Sequence, residues 1–139
     1  MINAEMERRG DAEKNENLLS EQVLDAAIEV HRTLGGPGLL ESLYGDALFY
    51  ELRLRGIPVL SQVQIPVTYK KYKLRDSMRL DILVDHKIII EVKATEVKLA
   101  VHKAQVLTYL RLTGLKLGIV ANFGQERLIE GWDRVVNNL

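Results

Sequence analysis

A chain of 139 residues is the size of one compact domain, and with 47% hydrophobic and 27% charged residues its composition excludes a wholly disordered or collagen-like polymer. Nineteen Lys plus Arg balance nineteen Asp plus Glu, so no bulk field holds a polyanion and any contact with nucleic acid must be local. The absence of cysteine removes disulfides, zinc–thiolate and iron–sulfur centres and thiol catalysis, and it fits a reducing cytoplasm, the expected location.

Residues 1–17 are polar and charge-rich and read as a flexible tail, which leaves residues 18–139 as a single domain. No apolar run reaches the roughly 18 residues that span a bilayer, so a soluble protein without a membrane partner is expected. Ser20 is placed to cap a first helix, and Leu24, Ala27, Ile28, His31 and Leu34 recur at helical spacing up to Gly35-Gly36-Pro37. A second helix starts near Leu39 or Leu40, carries Leu40, Leu43, Tyr44, Ala47 and Leu48 on one side, and stops at Gly56 before Pro58. The period then changes to two. Val59, Val63, Ile65, Val67 and Tyr69 alternate with polar residues, and Pro66 suggests an edge strand. Leu80 to Val84 and Ile88 to Val92 are apolar on both faces, as central strands are, with Asp85-His86-Lys87 as their turn. Leu99 to Thr113 forms a third helix stopped by Gly114; Leu117 to Ala121 is a buried strand, and Arg127 to Trp132 a short last one. The order is α-α-β-β-β-α-β-β, an α/β fold.

Charge in apolar surroundings marks the candidate site. Glu91 and Lys93 end an Ile-rich strand two residues apart, hence on one face, where charges persist only if paired, hydrogen-bonded or bound to metal. A three-residue loop at Asp85–Lys87 sets Val84 opposite Ile88 and Asp81 opposite Glu91; a two-residue loop sends the two carboxylates to opposite faces. In the first register the carboxylates repel unless a divalent cation or a shared proton intervenes. Oxygen donors favour a hard cation, Mg²⁺ or Mn²⁺, and with it phosphoryl chemistry in which Lys93 orients water or stabilises developing charge. On the third helix Gln105 and Tyr109 lie one turn apart with His102 on the same side, and Glu41 supplies a further carboxylate from the second helix. Lys70, Lys71, Lys73, Arg75 and Arg79, opposed only by Asp76, form a basic segment suited to phosphates, with Tyr69 and Tyr72 interleaved.

At these residues the sequence resembles the GxxExxY family, a small branch of the PD-(D/E)XK nuclease superfamily. Gly38-Leu39-Leu40-Glu41-Ser42-Leu43-Tyr44 is similar to the name-giving motif, Asp81 with Glu91-Val92-Lys93 to the Asp and Glu-x-Lys pattern, and Gln105 to Tyr109 to the Gln-xxx-Tyr helix of the RecB-type branch. The likeness runs from Leu18 to Asn137 and includes Ala121-Asn122-Phe123-Gly124, but Leu80 stands where the superfamily's leading proline is found. It implies a restriction-endonuclease-like core, a mixed central sheet flanked by helices, and Mg²⁺-dependent phosphodiester hydrolysis. By resemblance Asp81 and Glu91 are metal ligands with Glu41 as an accessory acid, Lys93 is the catalytic lysine, and Gln105 and Tyr109 belong to the site.

The resulting expectation is a metal-dependent nuclease acting on DNA before RNA. The contrary reading of Asp81, Glu91 and Lys93 is a structural ion-pair network in a module that binds nucleic acid or protein without cutting. A hydrolase of small phosphoesters would use the same residues. His31 reads as a hydrogen-bonded core residue, His86 as a solvated turn and His102 carries no assigned role. The chain has no obvious sequence-reading domain, so specificity calls for a protein partner, a particular nucleic-acid shape or a homodimer paired through the Pro66 strand or the last strand.

Overall fold

A computed structural model describes the backbone of residues 4–139 and the side chains from Asn15 onward. In chain order the elements are α1 (Ala4–Thr33), α2 (Glu41–Leu54), β1 (Val59–Tyr69), β2 (Tyr72–Val84), β3 (Ile88–Lys93), α3 (Ala100–Thr113), β4 (Leu117–Asn122) and β5 (Trp132–Val136). The strands form one sheet in the order β1-β2-β3-β4-β5, with β3 and β4 parallel and every other neighbour antiparallel. The expected mixed sheet is therefore present, and the Pro66 strand and the last strand are its two edges. α1 and α2 cover one face over Ile82, Val84, Ile88, Ile90, Val92 and Ile119. Leu83, Ile89, Val120 and Val135 meet Val106 and Leu110 of α3 on the other. Burial on both sides explains why β3 and β4 read as continuous apolar runs.

The first helix corrects the sequence reading. It does not start at a Ser20 cap but runs from Ala4, so from there the expected tail is helical backbone. Glu16 is buried 15 residues into the chain, where desolvation raises its pKa against the lowering influence of Lys116 and Lys87, and Asn17 bonds to Arg134 of β5. The last strand is also displaced. Leu128–Gly131 is a single 3-10 turn that drops Leu128 into the core, and pairing begins only at Trp132 opposite Ala121.

The alternation of β1 is interrupted too. Val59 packs in the layer under α1 and α2, whereas Val63 and Ile65 pack with the α3 layer, although all three are an even number of residues apart. The partner strand makes the same change, with Ile82 on the α1–α2 side and Leu80 and Met78 on the other. Between these points the ladder skips Gln62 opposite Asp81, and Gln62 is left-handed at φ 55°. One residue in that conformation kinks both strands and re-aims their side chains, as a bulge does. Asp81 sits at the pivot.

Candidate active site

The β2–β3 hairpin has the register that brings its acids together. Asp85 and His86 are both left-handed, the Lys87 N–H donates to the Val84 carbonyl at 2.9 Å, and Val84 stands opposite Ile88. His86 is exposed in this turn, as expected, and His31 is a buried core residue whose Nε2 donates to the Gln125 carbonyl at 3.0 Å. The ladder continues through Ile82 opposite Ile90 and stops one pair short of Asp81 and Glu91. There the strands separate, and the carboxylate of Asp81 accepts the Val92 N–H at 2.9 Å in place of a backbone carbonyl. The gap is thus a side-chain site cut into a sheet.

Glu91 and Lys93 project to the side opposite Val92, whose side chain is in the α1–α2 core. Lys93 Nζ lies 3.3 Å from Glu91 Oε1, and Glu91 is only 6% exposed. Its other oxygen, Oε2, is buried without a hydrogen-bond partner. Desolvation first and the charge of Asp81 second push the Glu91 carboxyl up to about 7, against the opposing pull of Lys93. A lone lysine therefore does not neutralise the two acids.

α3 closes this side. Gln105 Nε2 donates to the Tyr109 hydroxyl at 2.7 Å, and both residues are half-buried. Burial and then the Glu91 charge raise the Tyr109 pKa. His102, one turn earlier, is held below its ordinary pKa by burial and by Lys93, with Glu41 opposing. On the far side of the splay, a cavity of about 210 Å³ is lined by Glu41, Asp46, Arg79 and Asp81. Glu41 is the exposed first residue of α2, where a carboxylate also complements the helix dipole. Asp81 thus belongs to both sides, but Glu41 reaches it through the cavity and does not join Glu91. Among the described residues, no three His, Cys, Asp or Glu side chains form a preassembled ligand cluster.

The loop ahead of Glu41 has a clear physical basis. Gly38, at φ 120°, takes a conformation that L side chains rarely adopt. Tyr44 is fully buried, its hydroxyl donates to the Gly36 carbonyl at 2.6 Å and accepts from the Leu39 N–H at 3.1 Å, and its ring stacks on Phe123 at 4.8 Å. These contacts fix the turn that presents Glu41. Of the basic residues, only Arg79 reaches the cavity; Lys70, Lys71, Lys73 and Arg75 lie further along the β1–β2 hairpin.

A sequence profile of the PD-(D/E)XK nuclease superfamily matches residues 17–135. The chain belongs to the PD-(D/E)XK nuclease superfamily. Its five-stranded sheet flanked by helices is the restriction-endonuclease-like arrangement, and membership suggests a hydrolytic nuclease with nucleic acid as substrate. No significant match emerges among curated proteins or solved structures. Among the described residues no helix is long and apolar enough to cross a membrane.

In this superfamily member Asn122, in sequence simply part of a strand end, closes β4. It is 1% exposed, and its Oδ1 accepts the N–H groups of Thr95 and Gly124 at 3.0 and 2.9 Å. The Phe123 N–H also donates to the Lys93 carbonyl at 2.7 Å, so the end of β4 fixes the backbone that carries Lys93. The signal was a polar residue closing an all-apolar strand. A Cβ on Gly131 would lie 2.1 Å from the Asn122 carbonyl oxygen. Gly131→Ala is expected to cost roughly 1–3 kcal/mol by overpacking, seen as a melting temperature several degrees lower. An unchanged melting temperature would show that this contact gives way freely.

Proposed function

We propose that the chain is a divalent-metal-dependent nuclease, acting on DNA in preference to RNA, in which Asp81 and Glu91 hold Mg²⁺ or Mn²⁺ and Lys93 is the catalytic lysine. The observation that carries this reading is the unpartnered, buried Oε2 of Glu91 beside Asp81, a hard oxygen donor set in which one ammonium, Lys93, faces two carboxylates. A cation bound there supplies Lewis-acid polarisation of the phosphodiester and lowers the pKa of an attacking water. The protein's own part is positional. Asp81 is held by the Val92 N–H, and Lys93 is held by Glu91 and by its backbone bond from Phe123, leaving its ammonium beside the acids to orient water or stabilise charge on phosphate. Gln105 and Tyr109 form the wall from which substrate or water is positioned, and Glu41 acts from the cavity as an accessory acid or ligand. The Gly38 turn and the Tyr44 hydroxyl contacts support placing the chain in the GxxExxY branch, and the Gln105–Tyr109 pair supports its likeness to the RecB-type helix.

The test is cleavage of labelled single- and double-stranded DNA and RNA, with a nucleotide panel alongside, in EDTA, Mg²⁺ and Mn²⁺. Metal-dependent cutting of DNA, with the small phosphoesters untouched, is the expected result. Hydrolysis of the nucleotides alone, or silence on every polymer, sinks the nuclease reading.

A further inference from the structure

Among the described residues, the outer half of the β1–β2 hairpin is a long exposed feature. Every residue from Thr68 to Ser77 is exposed, so here two strands leave the sheet as a ribbon with water on both faces. The tip pairs Tyr69 with Tyr72 across left-handed Lys70 and Lys71. Below it the register shifts by two between Pro66–Ser77 and Thr68–Lys73, which loops out Leu74–Asp76 and bends the ribbon. A two-stranded ribbon without a packed face is marginal in water. Tyr69, Tyr72 and Leu74 are 61%, 64% and 40% exposed, so nothing among the described residues covers it.

Its charge is lopsided. Residues 66–79 carry five cations and one carboxylate, a net charge of +4, within a neutral chain whose remainder is therefore acidic by the same amount. The neutral total conceals a basic arm. At its base Arg79 shares the cavity with Asp81, so positive charge leads directly to the site.

Resting on the reading of this chain as a nuclease, we propose that the β1–β2 ribbon is a major-groove arm that selects double-stranded B-form DNA and delivers it to the site at Asp81. The shape decides the class of partner. The B-DNA major groove admits a two-stranded ribbon, whereas the A-form RNA groove is too narrow and deep for side chains to read. A single strand would instead be gripped by open aromatic faces. Here Lys70 Nζ sits over one face of the Tyr69 ring, 5.4 Å from its centroid, which reduces any stacking platform at the tip to Tyr72. At about 3.3 Å per residue, the strand without the looped-out residues, from Gln62 opposite Asp81 to Tyr69 at the tip, reaches roughly two-thirds of one turn of B-DNA, about 34 Å. Lysines in the groove would thus sit within a turn of the phosphate at Asp81.

The experiment is fluorescence anisotropy in EDTA, where cleavage plays no part, using duplex DNA of about two helical turns, its separate strands and the matching duplex RNA. Duplex DNA should bind at least about tenfold more tightly than either competitor. The Lys70→Ser, Lys71→Ser, Lys73→Ser, Arg75→Ser variant should lower the slope of log affinity against log salt by about 3–4, at about 0.9 per lost phosphate contact. If that variant melts early, Lys71→Ser with Lys73→Ser should lower it by about 2. Methyl green, a major-groove ligand, should displace the protein, and netropsin in the minor groove should not. Tyr69→Ala with Tyr72→Ala should leave the preference for duplex intact. Equal or tighter binding of single strands or duplex RNA, an unchanged salt slope, or displacement by netropsin alone overturns the arm. A chain that binds duplex DNA through the arm yet never cuts it overturns the nuclease reading instead and leaves the arm standing.

Discussion

Lys93→Ala should lower DNA cleavage by about 10³-fold or more while the protein stays folded and retains metal-linked stabilisation. The ammonium is partly exposed, 3.3 Å from Glu91 Oε1, and its alkyl chain is not part of either core cluster. If Lys93 acts as proposed, its removal takes away stabilisation of charge that develops during reaction, of the size lost with one oxyanion donor, about 10²–10³, together with the positioning of water. Metal affinity should rise slightly, because a cation competing for Glu91 has gone. The measurement pairs cleavage rate with thermal denaturation across an Mg²⁺ titration. Loss of activity together with loss of Mg²⁺ stabilisation would move Lys93 from chemistry to structural support. Full activity would remove it from the site.

The second large effect concerns Glu91 and pH in the absence of metal. Its carboxyl is raised from 4.5 to about 7 in the folded protein, chiefly by burial and then by Asp81. Between these values the folded state binds more protons than the unfolded chain, so this group's contribution to stability falls as pH rises through that window and is fully lost above it. A shift of this extent corresponds to a few kcal/mol, at about 1.4 kcal/mol per unit. Glu91→Gln cannot ionise. In EDTA near pH 8 the variant should be the more stable protein by roughly 1–3 kcal/mol, with the difference closing toward pH 4.5. Added Mg²⁺ should reverse the order, since only the ionised wild-type residue is a ligand, and proton release should accompany binding. Denaturation curves of both proteins across pH, with and without Mg²⁺, read all of this. A wild type that is the more stable of the two in EDTA at high pH would contradict a desolvated, undercompensated carboxylate.

Much of this was legible from local pattern. The element order follows from the change of hydrophobic period, and the meeting of Asp81 with Glu91 follows from the Asp85–Lys87 loop, whose three-residue register is the one found. Three features were not legible, each for a physical reason. Gln62 has no sequence mark for a left-handed φ, so the kink that moves Val63 and Leu80 to the other layer is a tertiary result, which even alternation disguised. Ser20 carried a capping signal, yet helix continues upstream of it, because the polar residues before it are compatible with helix and Asn17 bonds to Arg134 on the edge strand β5. Leu128 reads equally as strand or as a buried turn, and only the close approach of Gly131 to Asn122 settles it as the latter. The acidic convergence was partly legible as well: Asp81 and Glu91 meet as their spacing suggested, whereas Glu41 lies across the cavity on the other helix layer, a distance no spacing could show.

On the proposed function, Asp81 and Glu91 make a metal site at which DNA is cut. It is tested most directly by time courses on labelled duplex DNA with identically purified wild type and Asp81→Asn, each in EDTA and in Mg²⁺. Cutting by wild type in Mg²⁺ alone, with at least about 10³-fold loss in the variant, is expected. Equal cutting by both proteins, or none by wild type in either condition, would contradict it.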